Sequence, residues 1–98
     1  FNEIPLVQGV YELTKKGFIP GGTKRNLDYV TSHVNFSKIL SKEQQYLMAD
    51  AQTSGGLLIS VAKDKTEELQ KALNENGCLT SSIIGKVYNP AEFSIYLD

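Results

Sequence analysis

Asp50-Ala51-Gln52-Thr53-Ser54-Gly55-Gly56-Leu57-Leu58-Ile59 joins the expected end of a helix to an apolar run that continues to Val61. A nearly continuous apolar stretch bounded by turn residues reads as a central strand buried on both faces, so Gly56–Val61 is expected at the middle of a sheet. The bend in front of it carries a carboxylate, an amide, two hydroxyls and two glycines. A plain helix-to-strand turn needs less polar equipment than that.

Working outward, Ser41-Lys42-Glu43-Gln44 has the spacing of a capping box, which predicts a helix from about Lys42 to Asp50 with Leu47 and Met48 facing the core. Downstream, Asp64-Lys65-Thr66-Glu67 predicts a second helix start with Asp64 as cap. That helix would bury Leu69, Ala72 and Leu73 and stop at Gly77. Ser81–Val87 reads as a strand centred on Ile83, Ile84 and Val87, Asn89-Pro90 as a turn, and Phe93–Leu97 as a final strand with one face buried. Upstream, Phe1–Ile4 reads as an edge strand. Pro5 then opens a helix over Leu6–Lys16 that ends at Gly17. Pro20-Gly21-Gly22 reads as a turn, and Leu27–Phe36 as irregular or short strand structure. Helices interleaved with short strands give an α+β class, with helices layered on a small mixed or antiparallel sheet in one domain over residues 1–98.

With 98 residues, 41% hydrophobic and 21% charged, the chain has ordinary globular usage. A net charge of −1 offers no broad field for nucleic acid or anionic lipid. Lys15-Lys16 and Lys24-Arg25 read as solvated surface. The single cysteine, Cys78, excludes an internal disulfide and a multi-cysteine zinc site, and fits a reducing, cytoplasmic setting. It follows a helix-ending glycine and reads as a small buried residue. His33 is the one histidine, so no multi-histidine metal site can form, and it reads as packed or surface. No apolar run is long enough to span a membrane, and no repeat or low-complexity segment occurs. The chain starts without Met, in what reads as the middle of a structured stretch, so a longer parent protein is expected.

Two loops carry the candidate chemistry. In the first, the amides of Gly55-Gly56, the hydroxyls of Thr53 and Ser54 and the amide of Gln52 are donors suited to an anion. Asp50 is suited either to accept from the loop or to bind a hard cation. The plainer alternative is that these groups satisfy the helix end and that the glycines permit tight packing. The loop leads into a strand, not a helix, so neither a P-loop nor a dinucleotide-binding pattern is present. In the second loop, Gly22, Thr23 and Asn26 stand beside Lys24 and Arg25 and are suited to a phosphate, or to a plain surface turn.

Gly21-Gly22-Thr23-Lys24-Arg25-Asn26 followed by Asp50-Ala51-Gln52-Thr53-Ser54-Gly55-Gly56-Leu57-Leu58 resembles the C-terminal region of the selenophosphate synthetase (selenide, water dikinase) family. The resemblance runs from the first helix to Ile59 and fades after about Asp64. It implies the C-terminal α+β unit of the aminoimidazole ribonucleotide synthetase superfamily. It also implies an enzyme making selenophosphate, AMP and phosphate from selenide, ATP and water with Mg²⁺, dimeric mostly through a separate N-terminal catalytic domain. The family's glycine-rich segment with its catalytic Cys (or selenocysteine) and Lys is absent from this sequence, as are its metal-binding aspartate motifs. Cys78 does not inherit the catalytic role, and the resemblance assigns no catalytic residue here. The 98 residues alone are therefore expected to be inert. The alternative from the residues is a small-ligand-binding or regulatory α+β module without catalysis.

Overall fold

The computed structural model describes residues 1–98, in the order α1 (Val10–Lys15), α2 (Gly21–Val30), β1 (Val34–Phe36), α3 (Lys42–Met48), a 3₁₀ turn (Lys63–Lys65), α4 (Thr66–Glu75) and β2 (Ile95–Leu97). The class is mixed helix and sheet, as expected, but the sheet is smaller and of different sense. β1 and β2 pair in parallel, with Val34 opposite Ile95, Asn35 opposite Tyr96 and Phe36 opposite Leu97. His33 O accepts from the backbone N–H groups of Ser94 and Ile95 at the entrance, and Leu97 O accepts from Ser37 N–H at the exit.

α3 forms where its cap dictates. Ser41 Oγ accepts from Gln44 N–H, while Gln44 Oε1 accepts from Ser41 N–H at 2.8 Å, so both halves of the capping box are made. α1 and α4 end as their glycines require. Gly17 and Gly77 adopt φ of +87° and +74°, and the N–H groups of Phe18 and Cys78 reach back to the carbonyls of Leu13 and Leu73. α1 is shorter than expected because Gly9, at φ +84°, takes the left-handed region directly before Val10 and separates Leu6 and Val7 from the helix. Phe1–Ile4 forms a turn, closed by Ile4 N–H on Phe1 O, not an edge strand. The 3₁₀ turn displaces Asp64 from the cap position, and Lys65 precedes α4 without a side-chain cap.

α2 overturns the expected Pro-Gly-Gly turn. Pro20, fixed at φ −58°, is the cap residue, and the helix starts at Gly21. Two glycines in a first turn lower intrinsic helicity, and tertiary contacts outweigh that cost. Thr23 and Leu27 are the buried residues of α2, at 2% and 1% exposure, and α3 packs against both α1 and α2. With Thr14, Val34 and Leu40 they make up the core.

The largest departure concerns the apolar segments. Gly56–Val61 and Ser81–Val87 are not strands. Leu57 and Leu58 are more than four-fifths exposed, and Ile83 and Ile84 are about half exposed. No backbone–backbone hydrogen bond reaches either segment, and Ser81 O accepts only from the Gln70 side chain, at 2.7 Å. Leu69 and Leu73 of α4 are only half-buried, Ala72 is exposed, and Cys78 is exposed, not buried as its place in the sequence suggested.

Candidate functional site

The two candidate loops come together. Thr23 stands on the first turn of α2, and its hydroxyl donates to Asp50 Oδ1. The other carboxylate oxygen, Oδ2, accepts from Gln52 Nε2 at 3.0 Å. Asn26, three residues beyond Thr23 on the same side of the helix, donates from Nδ2 to the carbonyl of Ala49 at 3.1 Å. The C-terminal end of α3 is thus fastened to one face of α2, and the bend at 50–56 is tethered through Gln52. A carboxylate beside a first helical turn is favoured by the partial positive charge of the free N–H groups there.

Thr23, Asn26, Asp50 and Gln52, all candidates from the sequence, thus meet in one place. The signal lies in the spacing: Thr23, Asn26, Leu27 and Val30 share one helical face once α2 begins at Gly21. Gly22 takes no part. A Cβ there would meet nothing within 4 Å, and its φ is not positive. Lys24 and Arg25 are exposed and form no ion pair.

Beyond Gln52 the bend opens to solvent, and Thr53, Ser54, Gly55 and Gly56 are all exposed. The Thr53 and Ser54 hydroxyls have no partner in the chain, and no N–H from Ala51 to Val61 enters a backbone hydrogen bond. The left-handed residue of the bend is Ser54, at φ +53°, not either glycine. Gly55 is required for a different reason: a Cβ there would lie 2.8 Å from Gln52 Cβ. At Gly56 a Cβ would meet nothing within 4 Å.

The donor set does not fit a magnesium ion. No cluster of three or more His, Cys, Asp or Glu side chains stands together, and both Asp50 oxygens already accept hydrogen bonds. His33 is exposed beside the Tyr29 ring. No helix is long and apolar enough to cross a membrane.

Residues 23–98 match the family described as AIR synthase related protein, C-terminal domain. The chain belongs to this family. Its curated relatives include the selenide, water dikinase of Caldanaerobacter subterraneus subsp. tengcongensis, 44% identical over 98% of this chain and 28% of the relative. The selenide, water dikinase of Carboxydothermus hydrogenoformans is 41% identical over 84% of this chain and 24% of the relative. That of Clostridioides difficile is 38% identical over 93% of this chain and 26% of the relative. The chain therefore spans about a quarter of the length of the curated relatives it matches. No solved structure matches it. The likeness extends well past Asp64, where the motif resemblance had faded, since the family match reaches Asp98.

Proposed function

We propose that this chain is the C-terminal part of a selenide, water dikinase, acting with an N-terminal catalytic domain in the ATP-dependent conversion of selenide and water to selenophosphate, AMP and phosphate. Its contribution is a row of donors for an anion. The observation that carries this reading is the bend at Gln52–Gly56, whose Thr53 and Ser54 hydroxyls and backbone N–H groups face solvent without partners in the chain. A phosphoryl group spreads negative charge over several oxygens, and fixed donors stabilise that charge without reorganising during the reaction. The open hydroxyls are suited to phosphate oxygens or to the selenium anion. Mg²⁺ and the catalytic Cys and Lys belong to the other domain in this reading, and no step is assigned to a metal held by these residues. The homodimer also belongs to the whole enzyme.

The test is the double variant Thr53→Ala, Ser54→Ala in the full-length polypeptide that carries this chain, assayed for selenide-dependent AMP formation. Loss of two donors is expected to lower kcat/KM about 10²-fold, the scale seen when a charge-stabilising donor is removed. Wild-type kcat/KM in a folded variant sinks the reading.

A further inference from the structure

We propose that the Thr23–Asp50–Gln52 relay positions the donor row at Gln52–Gly56, which makes Thr23 and Asp50 positioning residues for it. The inference rests on the anion-binding reading for its purpose, though not for its geometry. From Ala51 to Val61 the backbone makes no hydrogen bond, so main-chain pairing does not fix where the row sits. What ties the bend to the body is the side-chain chain. The Thr23 hydroxyl has one proton and donates it to Asp50 Oδ1, and Oδ2 accepts from Gln52. Gln52 in turn packs so close to Gly55 that no Cβ fits between them. Movement of Gln52 therefore moves the contact that shapes the bend.

The anchor is well chosen for rigidity. Thr23 is 2% exposed on a helix whose next buried residue, Leu27, is the best-packed side chain of the chain. Asn26 holds the Ala49 carbonyl, immediately before Asp50, from the same face. The α2–α3 pair is thus the frame, and Asp50 is the joint between frame and bend. An ionised carboxylate suits that place because it accepts on both oxygens at once, whereas an amide accepts on one.

The experiment uses the full-length polypeptide labelled with ¹⁵N-glycine, comparing Thr23→Val, Thr23→Ser and Asp50→Asn. Valine keeps the shape and loses the hydroxyl. Thr23→Val and Asp50→Asn are expected to move the Gly55 and Gly56 amide resonances, leaving those of Gly9 and Gly77 in place, and Thr23→Ser restores them. Under the anion-binding reading, kcat/KM for ATP falls about tenfold in the first two variants and recovers in Thr23→Ser, since misplacement of even 1 Å is costly. Unmoved Gly55 and Gly56 resonances in folded Thr23→Val or Asp50→Asn overturn the relay. Moved resonances with unchanged turnover uphold the relay and remove the anion-binding reading instead.

Discussion

Gly55 and Gly56 look alike in the sequence and are held by different constraints. Neither has positive φ, so neither is a glycine for conformational reasons. At Gly55 a methyl group would collide with Gln52 Cβ, which is bonded directly to the backbone and cannot swing aside. At Gly56 the same methyl meets open space. Gly55→Ala is expected to shift the bend and cost about 1–3 kcal/mol, the range for overpacking. Gly56→Ala is expected to be neutral or to raise stability by up to about 1 kcal/mol by restricting the unfolded chain. Urea unfolding midpoints of the two variants check the contrast, and equal effects would contradict it. The Thr-Ser-Gly-Gly string advertised a tight bend. It did not show that the residue in the left-handed region is Ser54, at φ +53°, with neither glycine taking a positive φ.

Elements specified by local chemistry were legible, and those needing a distant partner were not. The capping box of α3 and the terminal glycines of α1 and α4 act within a few residues of themselves, and each sits where the sequence put it. α2 was hidden because its Pro-Gly-Gly start is a turn signal locally, and only the buried Thr23 and Leu27 make a helix there worthwhile. Gly56–Val61 and Ser81–Val87 have the composition of buried strands, yet a strand exists only with a neighbour to accept its hydrogen bonds, and none is present. α3 also carries an acid-sensitive contribution. Glu43 in its first turn is held below the ordinary glutamate value, first by its own backbone N–H, then by the Ser41 hydroxyl and, to a lesser degree, by the charge of Lys15. A carboxyl whose folded value is depressed stabilises the fold at neutral pH and loses that contribution as pH falls through the glutamate range. Ser41→Ala is therefore expected to cost about 1 kcal/mol at pH 7 through the lost cap and to flatten the loss of stability on acidification. Chemical unfolding of wild type and Ser41→Ala between pH 7 and about pH 3 measures both effects. A parallel acid limb in the variant would remove Ser41 from the account.

At the scale of the whole molecule, surface is the informative quantity. The accessible area is 8148 Å², against about 5,500 Å² for a folded monomer of this mass. The radius of gyration is 14.9 Å, against about 13 Å for a compact chain of this length. The excess lies where the apolar segments run uncovered, and it divides the molecule energetically. The α1–α2–α3 unit with the β1–β2 pair holds every buried residue, and the 56–61 and 81–88 segments hold none. Substitutions should follow that division. Leu27→Ala removes the best-packed side chain and is expected to cost about 2–5 kcal/mol. Leu58→Lys places a charge on a side chain already 83% exposed and is expected to move stability by less than about 0.5 kcal/mol. The denaturant slope should also be low, about three quarters of that usual for a chain of this size, because unfolding uncovers correspondingly less area. Urea unfolding of the 98-residue chain and the two variants tests all three expectations together. A full-sized slope with a destabilising Leu58→Lys would mean that Leu57–Val61 is covered in solution. The apolar run would then be a buried strand, as its composition suggests.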